Sequence, residues 1–308
     1  MIGQQPQVVG VGQCSLDLLG RVAQYPPVDQ KAELKEVLIQ GGGPVATALV
    51  VLSRLGVSTA FFGRVGDDEH GRRIRLGLSD EGIDCRGLRI DPGATSQFAF
   101  IAVENGSGHR NVFWTRGSAR PLTADEIDPV AISSCRVLHL DGLQFEAALT
   151  AAQMARRHQV VTVLDGGTLR PETERLLPWI DHPVISERFA RQMCPSDPSK
   201  ALDRLLDHGA TAVTMTCGVR GSHTLTRAGE RFHVPAFAVS AIDTTGCGDV
   251  FHGGYIYGLL QGWPLPRVVT FAAACAALKT RALGGRTAIP TLPEVESLLL
   301  TPGAREGY

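Results

Sequence analysis

From residue 136 onward, apolar runs of strand length alternate with runs of helix length, and this alternation narrows the fold more than any other feature. Val137–Leu140 precedes a helical stretch over 144–158, and strand-like runs follow at 160–164, 183–185 and 211–216. Strands joined through helices pair in parallel and bury both faces of their sheet. The pattern predicts an α/β fold: a doubly wound, mostly parallel central sheet flanked by helices. Ligands bind such sheets outside the carboxyl ends of the strands. Asp141, Asp165 and Ser186-Glu187 fall at those ends, and Asp17 lies just past the first strand-like run, Val8-Val9-Gly10-Val11.

Composition agrees with a globular chain carrying a sizeable core: 308 residues, 44% hydrophobic and 20% charged. A net charge of −1 gives no attraction to nucleic acid or to a membrane. The N-terminal residues lack a basic, apolar leader, and the apolar helix around 271–278 is too short to span a bilayer. Seven cysteines with no CxxC pair read as reduced thiols. The expectation is a cytoplasmic protein without nucleic-acid or membrane partners.

Three small-residue loops follow strand-like runs. The most informative is Ala241-Ile242-Asp243-Thr244-Thr245-Gly246-Cys247-Gly248-Asp249, leading into a helix through Val250-Phe251-His252-Gly253-Gly254. Gly246, Cys247 and Gly248 let backbone N–H groups approach a ligand, and a helix starting there adds its unpaired first donors and positive dipole end. Such an end binds anions. Asp249 in the first turn either complements the dipole or serves as a general base beside the anion. Cys247 at that helix start either has a lowered pKa or packs as a small hydrophobe. In Gly41-Gly42-Gly43, the second loop, Pro44 suits the first helical position and Gly56 the C-terminal stop. Val45, Leu49, Leu52 and Leu55 recur at helical spacing. The third is Thr216-Cys217-Gly218-Val219-Arg220-Gly221.

Other stretches are less specific. Gly10-Val11-Gly12 lacks the third glycine of a dinucleotide fingerprint, having Ser15 there. Asp67-Asp68-Glu69 reads as the cap of a polar helix reaching about Glu81. Residues 31–40 alternate as a strand, and 95–103 and 110–116 flank Asn105-Gly106 as a hairpin. Together they suggest a small separate sheet. Phe98, Phe100 and Trp114 in it either shape a pocket or follow plain strand alternation. Gly253, Gly254 and Gly258 disfavour a helix, which points to close packing or ligand approach. A last Ala-rich helix begins at Pro266, ends near Gly284-Gly285-Arg286-Thr287, and is followed by a tail without an assigned element.

These motifs, in this order, resemble the PfkB/ribokinase family of carbohydrate kinases over nearly the whole chain. Asp243-Thr244-Thr245-Gly246-Cys247-Gly248-Asp249 is similar to its C-terminal signature and Gly41-Gly42-Gly43 to its N-terminal one. Gly-Gly-Gly-Pro, Val-Leu-Asp-Gly and Asp-Val-Phe-His-Gly stretches look closest to sulfofructose kinase and related sugar kinases. The resemblance implies a ribokinase-like domain over 1–308, with lid segments at about 14–40 and 94–117. It implies ATP-dependent phosphorylation of a sugar hydroxyl, with Asp249 as base and the backbone of Gly246, Cys247 and Gly248 as anion hole. Asp17, Gly42, Gly43 and Thr47 would face the sugar, and Thr216, Gly218 and Gly221 the nucleotide. Mg2+ would accompany ATP near Glu187 and Asp165, and K+ would sit near Asp243, Thr245 and Gly285. A homodimer would form through the lid.

The chain departs from its relatives at several points. Thr47 stands where many members have Asn, and Ser186-Glu187-Arg188-Phe189 replaces the metal-linked Asn-x-x-Glu. Trp114 and Leu143 align with sulfonate-binding positions and offer no such recognition, so that substrate is not implied. Two other readings stay open: a nucleoside or hydroxymethylpyrimidine kinase, and a non-catalytic sugar or nucleotide sensor of the same fold.

Overall fold

The computed structural model describes residues 5–106 and 110–301. In chain order the first half contains β1 (Val8–Val11), β2 (Ser15–Val22), β3 (Glu36–Gly42), α1 (Pro44–Arg54), β4 (Thr59–Gly66), α2 (Glu69–Asp80), β5 (Asp84–Asp91), β6 (Phe98–Glu104) and β7 (Arg110–Thr115). The second half continues with α3 (Pro129–Ser134), β8 (Val137–Leu140), α4 (Phe145–Arg157), β9 (Val161–Gly166), α5 (Thr173–Leu176), β10 (His182–Ser186), α6 (Glu187–Met193), α7 (Lys200–Asp207) and β11 (Ala212–Thr216). It closes with β12 (Ser222–Thr226), β13 (Arg231–Val234), α8 (Cys247–Leu260), α9 (Leu265–Lys279) and α10 (Leu292–Leu300).

Nine strands form the central sheet in the order β13-β12-β11-β10-β9-β8-β1-β4-β5. All pairs from β11 to β5 are parallel; β12 and β13 extend one edge antiparallel. Strand period divides the core between two faces. Val8, Val137, Val163 and Val184 pack with α1, α8 and α9 on one side. Val9, Leu138, Leu164 and Ile185 pack with α4, α6 and α7 on the other. This is the mostly parallel, doubly flanked sheet that the alternation predicts.

A second sheet, ordered β3-β2-β6-β7, stands apart from the first. Its register defines two faces. One row runs Ile39, Leu18, Phe100, Phe113; the neighbouring row on the opposite face runs Gln40, Asp17, Ala99, Trp114. Leu19, Ala99, Ile101 and Val103, on the Asp17 side, pack with Leu283 from the main body. The inner face therefore carries Asp17 and Trp114, and Phe113 on the outer face is 61% exposed. Of the aromatics in this sheet, Phe100 lies on the outer face, and Phe98 stacks on His70 at 4.9 Å.

One feature, the helical tail, differs from the sequence expectation, and two others resolve it. β2 directly follows β1 but leaves for the other sheet, carrying Asp17 with it. The tail forms α10, capped reciprocally by Thr291 and Glu294, with Glu294 Oε2 accepting from Thr291 N at 2.8 Å. The helix glycines of α8 serve packing: a Cβ on Gly253 would stand 2.6 Å from Val51 Cβ, and one on Gly254 3.0 Å from Ala272 Cα. They let α8 lie directly against α1 and α9.

Candidate active site

The loop entering α8 is held from beneath by Asp243, which is fully buried. Its Oδ1 accepts from Thr245 N at 2.8 Å and Thr245 Oγ1 at 2.7 Å, and its Oδ2 from Gly284 N at 2.7 Å. Lys279 Nζ, also fully buried, donates to the Asp243 carbonyl at 2.9 Å. Gly246 then turns with φ +75°, and a Cβ there would lie 2.7 Å from Gly285 Cα. Two backbones cross where a side chain has no room. Beyond the crossing α8 begins at Cys247, and a Cβ on exposed Gly248 would meet nothing within 4 Å. The first turn is thus open at Gly248, and Cys247 N reaches Thr244 O at 3.3 Å.

Asp249 occupies this first turn, partly buried. Burial raises its pKa to about 7, helped by the charge of Asp165 and opposed by His252. Asp17 raises it further and Arg286 lowers it, so both bear on the same carboxylate. His252, one turn on, is buried and committed to structure. Its Nδ1 lies 2.7 Å from Gly248 O and 3.4 Å from Asp165 Oδ2, and its Nε2 lies 3.2 Å from Val184 O. Cys247 does not have the lowered pKa of an open helix start. Burial pushes its thiol up to about 11, with Lys279 and Arg110 only partly offsetting this.

Asp17, Gly42, Gly43 and Thr47 converge on the other side. Asp17 is buried, and Ser15 Oγ donates to its Oδ1 at 2.7 Å. Burial raises its pKa, with Ser15 and Arg286 opposing. A Cβ on Gly42 would stand 2.1 Å from Asp17 Oδ2. Gly43, at φ +96°, leaves no room beside Gln13 O, 2.4 Å from where a Cβ would be. Thr47 Oγ1 accepts from Arg286 Nε at 3.3 Å, and Arg286 Nη2 donates to Gly42 O at 3.1 Å. Burial lowers the Arg286 pKa to about 10 despite nearby Asp17.

Thr216, Gly218 and Gly221 sit at the end of β11. Cys217 N donates to Gly221 O at 2.8 Å, Gly218 and Gly221 have φ +59° and +81°, and Thr216 Oγ1 donates to Ile185 O at 3.3 Å. Thr216 is in register with Ser186, and Val184 with Asp165, so this turn and Asp165 share one sheet edge. No hydrogen bond joins the turn to Asp249 among the described residues. Glu187 is drawn away from a metal role by Arg191 and Arg220, each at 2.6 Å. Among the described residues no cluster of three or more His, Cys, Asp or Glu could hold a metal ion. A Mg2+ ion that keeps its waters and phosphate ligands needs only one or two carboxylates. Asp165, side chain 10% exposed beside the Asp249 turn, fits that limited role.

Three cations in the site have no assigned role in the sequence reading. Arg286 sits under Gly41 and Gly42, where β3 ends and α1 begins. Lys279 is the buried end of α9. Arg110, on β7, donates from Nη1 to Thr244 Oγ1 at 2.7 Å, tying the small sheet to the loop that enters α8. The available signals were slight: an arginine straight after a glycine pair, and a lysine closing an otherwise Ala-rich helix.

Comparison with known proteins places these motifs in a wider set. A profile described as pfkB family carbohydrate kinase matches residues 5–292. The chain is 27% identical to a 5-dehydro-2-deoxygluconokinase of Geobacillus thermodenitrificans, over 94% of this chain and 92% of that one. It is 28% identical to a ribokinase of Haemophilus influenzae, over 84% and 87% of the two chains. The crystal structure of a Thermotoga maritima ribokinase superposes with a TM-score of 0.84 at 24% identity, covering 96% of this chain and 100% of the other, and shares the fold.

Proposed function

The chain belongs to the pfkB family of carbohydrate kinases, and on that footing we propose that it transfers the γ-phosphoryl group of ATP to a hydroxyl of a sugar or sugar derivative. The observation that carries this reading is a partly buried carboxylate, Asp249, with its pKa near neutrality at the open N-terminus of α8. A base of that strength beside an anion-binding helix end suits a proton acceptor in phosphoryl transfer. We take residues 1–308 as one kinase domain, with the segments at about 14–40 and 94–117 forming a lid.

Asp17, with Gly42 and Gly43, orients the sugar so that one hydroxyl meets Asp249. The hydroxyl oxygen bonds to the γ-phosphorus as the bond to the β–γ bridging oxygen breaks, and ADP leaves. The hydroxyl proton passes to the Asp249 carboxylate. Backbone N–H groups of Gly246, Cys247 and Gly248 hold the charge on the moving phosphoryl group. Thr216, Gly218 and Gly221 line the nucleotide end. Asp165 would hold Mg2+ arriving with ATP, whose charge offsets that of the phosphates. Thr47 acts by setting Arg286 beneath the sugar loop. The inner lid face, with Asp17 and Trp114, closes over the sugar and excludes water. Its outer row, with Ile39 49% exposed and Phe113 61% exposed, supports a homodimer through the lid.

The test is a panel of ketoses, aldoses, sugar acids, nucleosides and hydroxymethylpyrimidine with ATP and magnesium. Phosphorylation of a sugar supports the proposal. Turnover of nucleosides or pyrimidines alone reassigns the substrate class. ATP binding without turnover of any acceptor favours a sensor.

A further inference from the structure

We propose that Lys279 is a built-in cation: its ammonium occupies the place at Asp243 that a monovalent ion would take, and the chain needs no potassium to shape its anion-binding loop. The family resemblance implies an ion held by Asp243, Thr245 and Gly285, and the residues present do not fit one. An ion site needs several oxygens turned toward a shared space. Here Asp243 Oδ1 is turned to Thr245 N and Oγ1, and Oδ2 to Gly284 N. The remaining oxygen of Asp243, its carbonyl, accepts from Lys279 Nζ at 2.9 Å, and the same Nζ lies 4.0 Å from Oδ2. Both side chains are fully buried, so this ammonium has Asp243 as its close acidic partner and little water. A second cation at the same oxygens would meet Lys279 at short range in a medium of low dielectric.

The position of Lys279 gives the ammonium a purpose beyond neutralising Asp243. It closes α9, and the next residue, Thr280, accepts from Ile242 N at 2.7 Å and Asp243 N at 3.1 Å. The Thr280 carbonyl, the ammonium and the Gly284 amide together fix residues 242–245 immediately before the glycine crossing. A tethered lysine does this without the entropy of capturing a free ion. Buried charges paired in this way destabilise strongly when one partner is removed.

The activity readout rests on the proposed kinase reaction; the thermal readout does not. The purified chain is dialysed into choline chloride, then titrated with KCl or NaCl at constant ionic strength. The melting temperature and the rate on its best acceptor are recorded. The inference predicts a rate unchanged within about twofold and no potassium-specific rise in melting temperature, since an ion that does not bind cannot stabilise. Saturable activation by potassium, or a potassium-specific thermal shift, overturns it. In a second arm, a folded Lys279→Ala variant loses most of its rate and regains part of it with potassium or methylammonium. Full activity of that folded variant without any added cation also overturns the inference. Should Lys279→Ala not fold, the ion titration of the unaltered chain decides alone.

Discussion

Gly42 leaves the space that the Asp17 carboxylate fills: a Cβ at position 42 would lie 2.1 Å from Asp17 Oδ2 and 2.5 Å from its Cγ. Both residues sit where the sugar is proposed to bind. Gly42→Ala therefore swings Asp17 off its bond with Ser15. Expected is a rise in KM for the sugar of about tenfold or more, one lost charge-assisted hydrogen bond being worth roughly that much. KM for ATP stays nearly constant. Steady-state kinetics with each substrate varied in turn check this.

Asp249 ties rate and stability to the same pH window. As a base it must be ionised, so kcat/KM should fall with unit slope below about pH 7. Its folded pKa is raised from 3.8, so the folded state holds the proton more tightly than the unfolded chain. The stability this contributes is complete below the unfolded value and is lost as pH rises through about 7. Asp249→Asn never ionises and escapes that loss. Denaturant melts should show the variant gaining on the unaltered chain between pH 4 and pH 8, by on the order of 4 kcal/mol.

Arg110 joins the small sheet to the loop that enters α8 through Thr244. Arg110→Ala is expected to lower kcat by about tenfold or more, by loosening closure over the transferring phosphate. Sugar affinity, which the proposal assigns to Asp17 and Gly42, should change far less. Turnover together with calorimetric binding of the sugar separates the two effects.

The outer lid row of Ile39, Leu18, Phe100 and Phe113 gives a test of assembly. Phe113 stacks on Phe100 with centroids 6.3 Å apart and remains largely exposed. Phe113→Asp should convert a dimer to a monomer in light scattering, since a carboxylate on a buried apolar contact is strongly disfavoured. A monomeric unaltered chain contradicts the lid dimer.

How far the sequence reveals these features depends on how local their causes are. Strand–helix alternation and the glycine loops are local, and they place Asp249 and Gly41-Gly42-Gly43 at helix starts before any fold is known. Asp17 was legible locally as a strand-end carboxylate, and its place in a second sheet came only from the family resemblance, because sheet membership is decided by distant pairing partners. Lys279 reads locally as a cation suiting a helix C-terminus; its burial against Asp243 appears only when residues 36 apart meet. Arg286 meets Gly42 across 244 residues, a contact that no spacing rule reaches. Thr291 and Glu294 do form a readable capping box, yet the prolines around them look like the end of structure. The helix-start position of Cys247 left a lowered pKa and a packed small hydrophobe both open, and three-dimensional burial, which raises its pKa, favours the second.

The central claim is that Asp249 takes the proton of the acceptor hydroxyl. Its most direct test is the rate of phosphoryl transfer by Asp249→Asn, measured beside calorimetric ATP binding by the same sample. The account predicts ATP affinity within a few-fold of the unaltered chain and a rate lower by about a thousandfold. Near-normal turnover by the folded variant would contradict it.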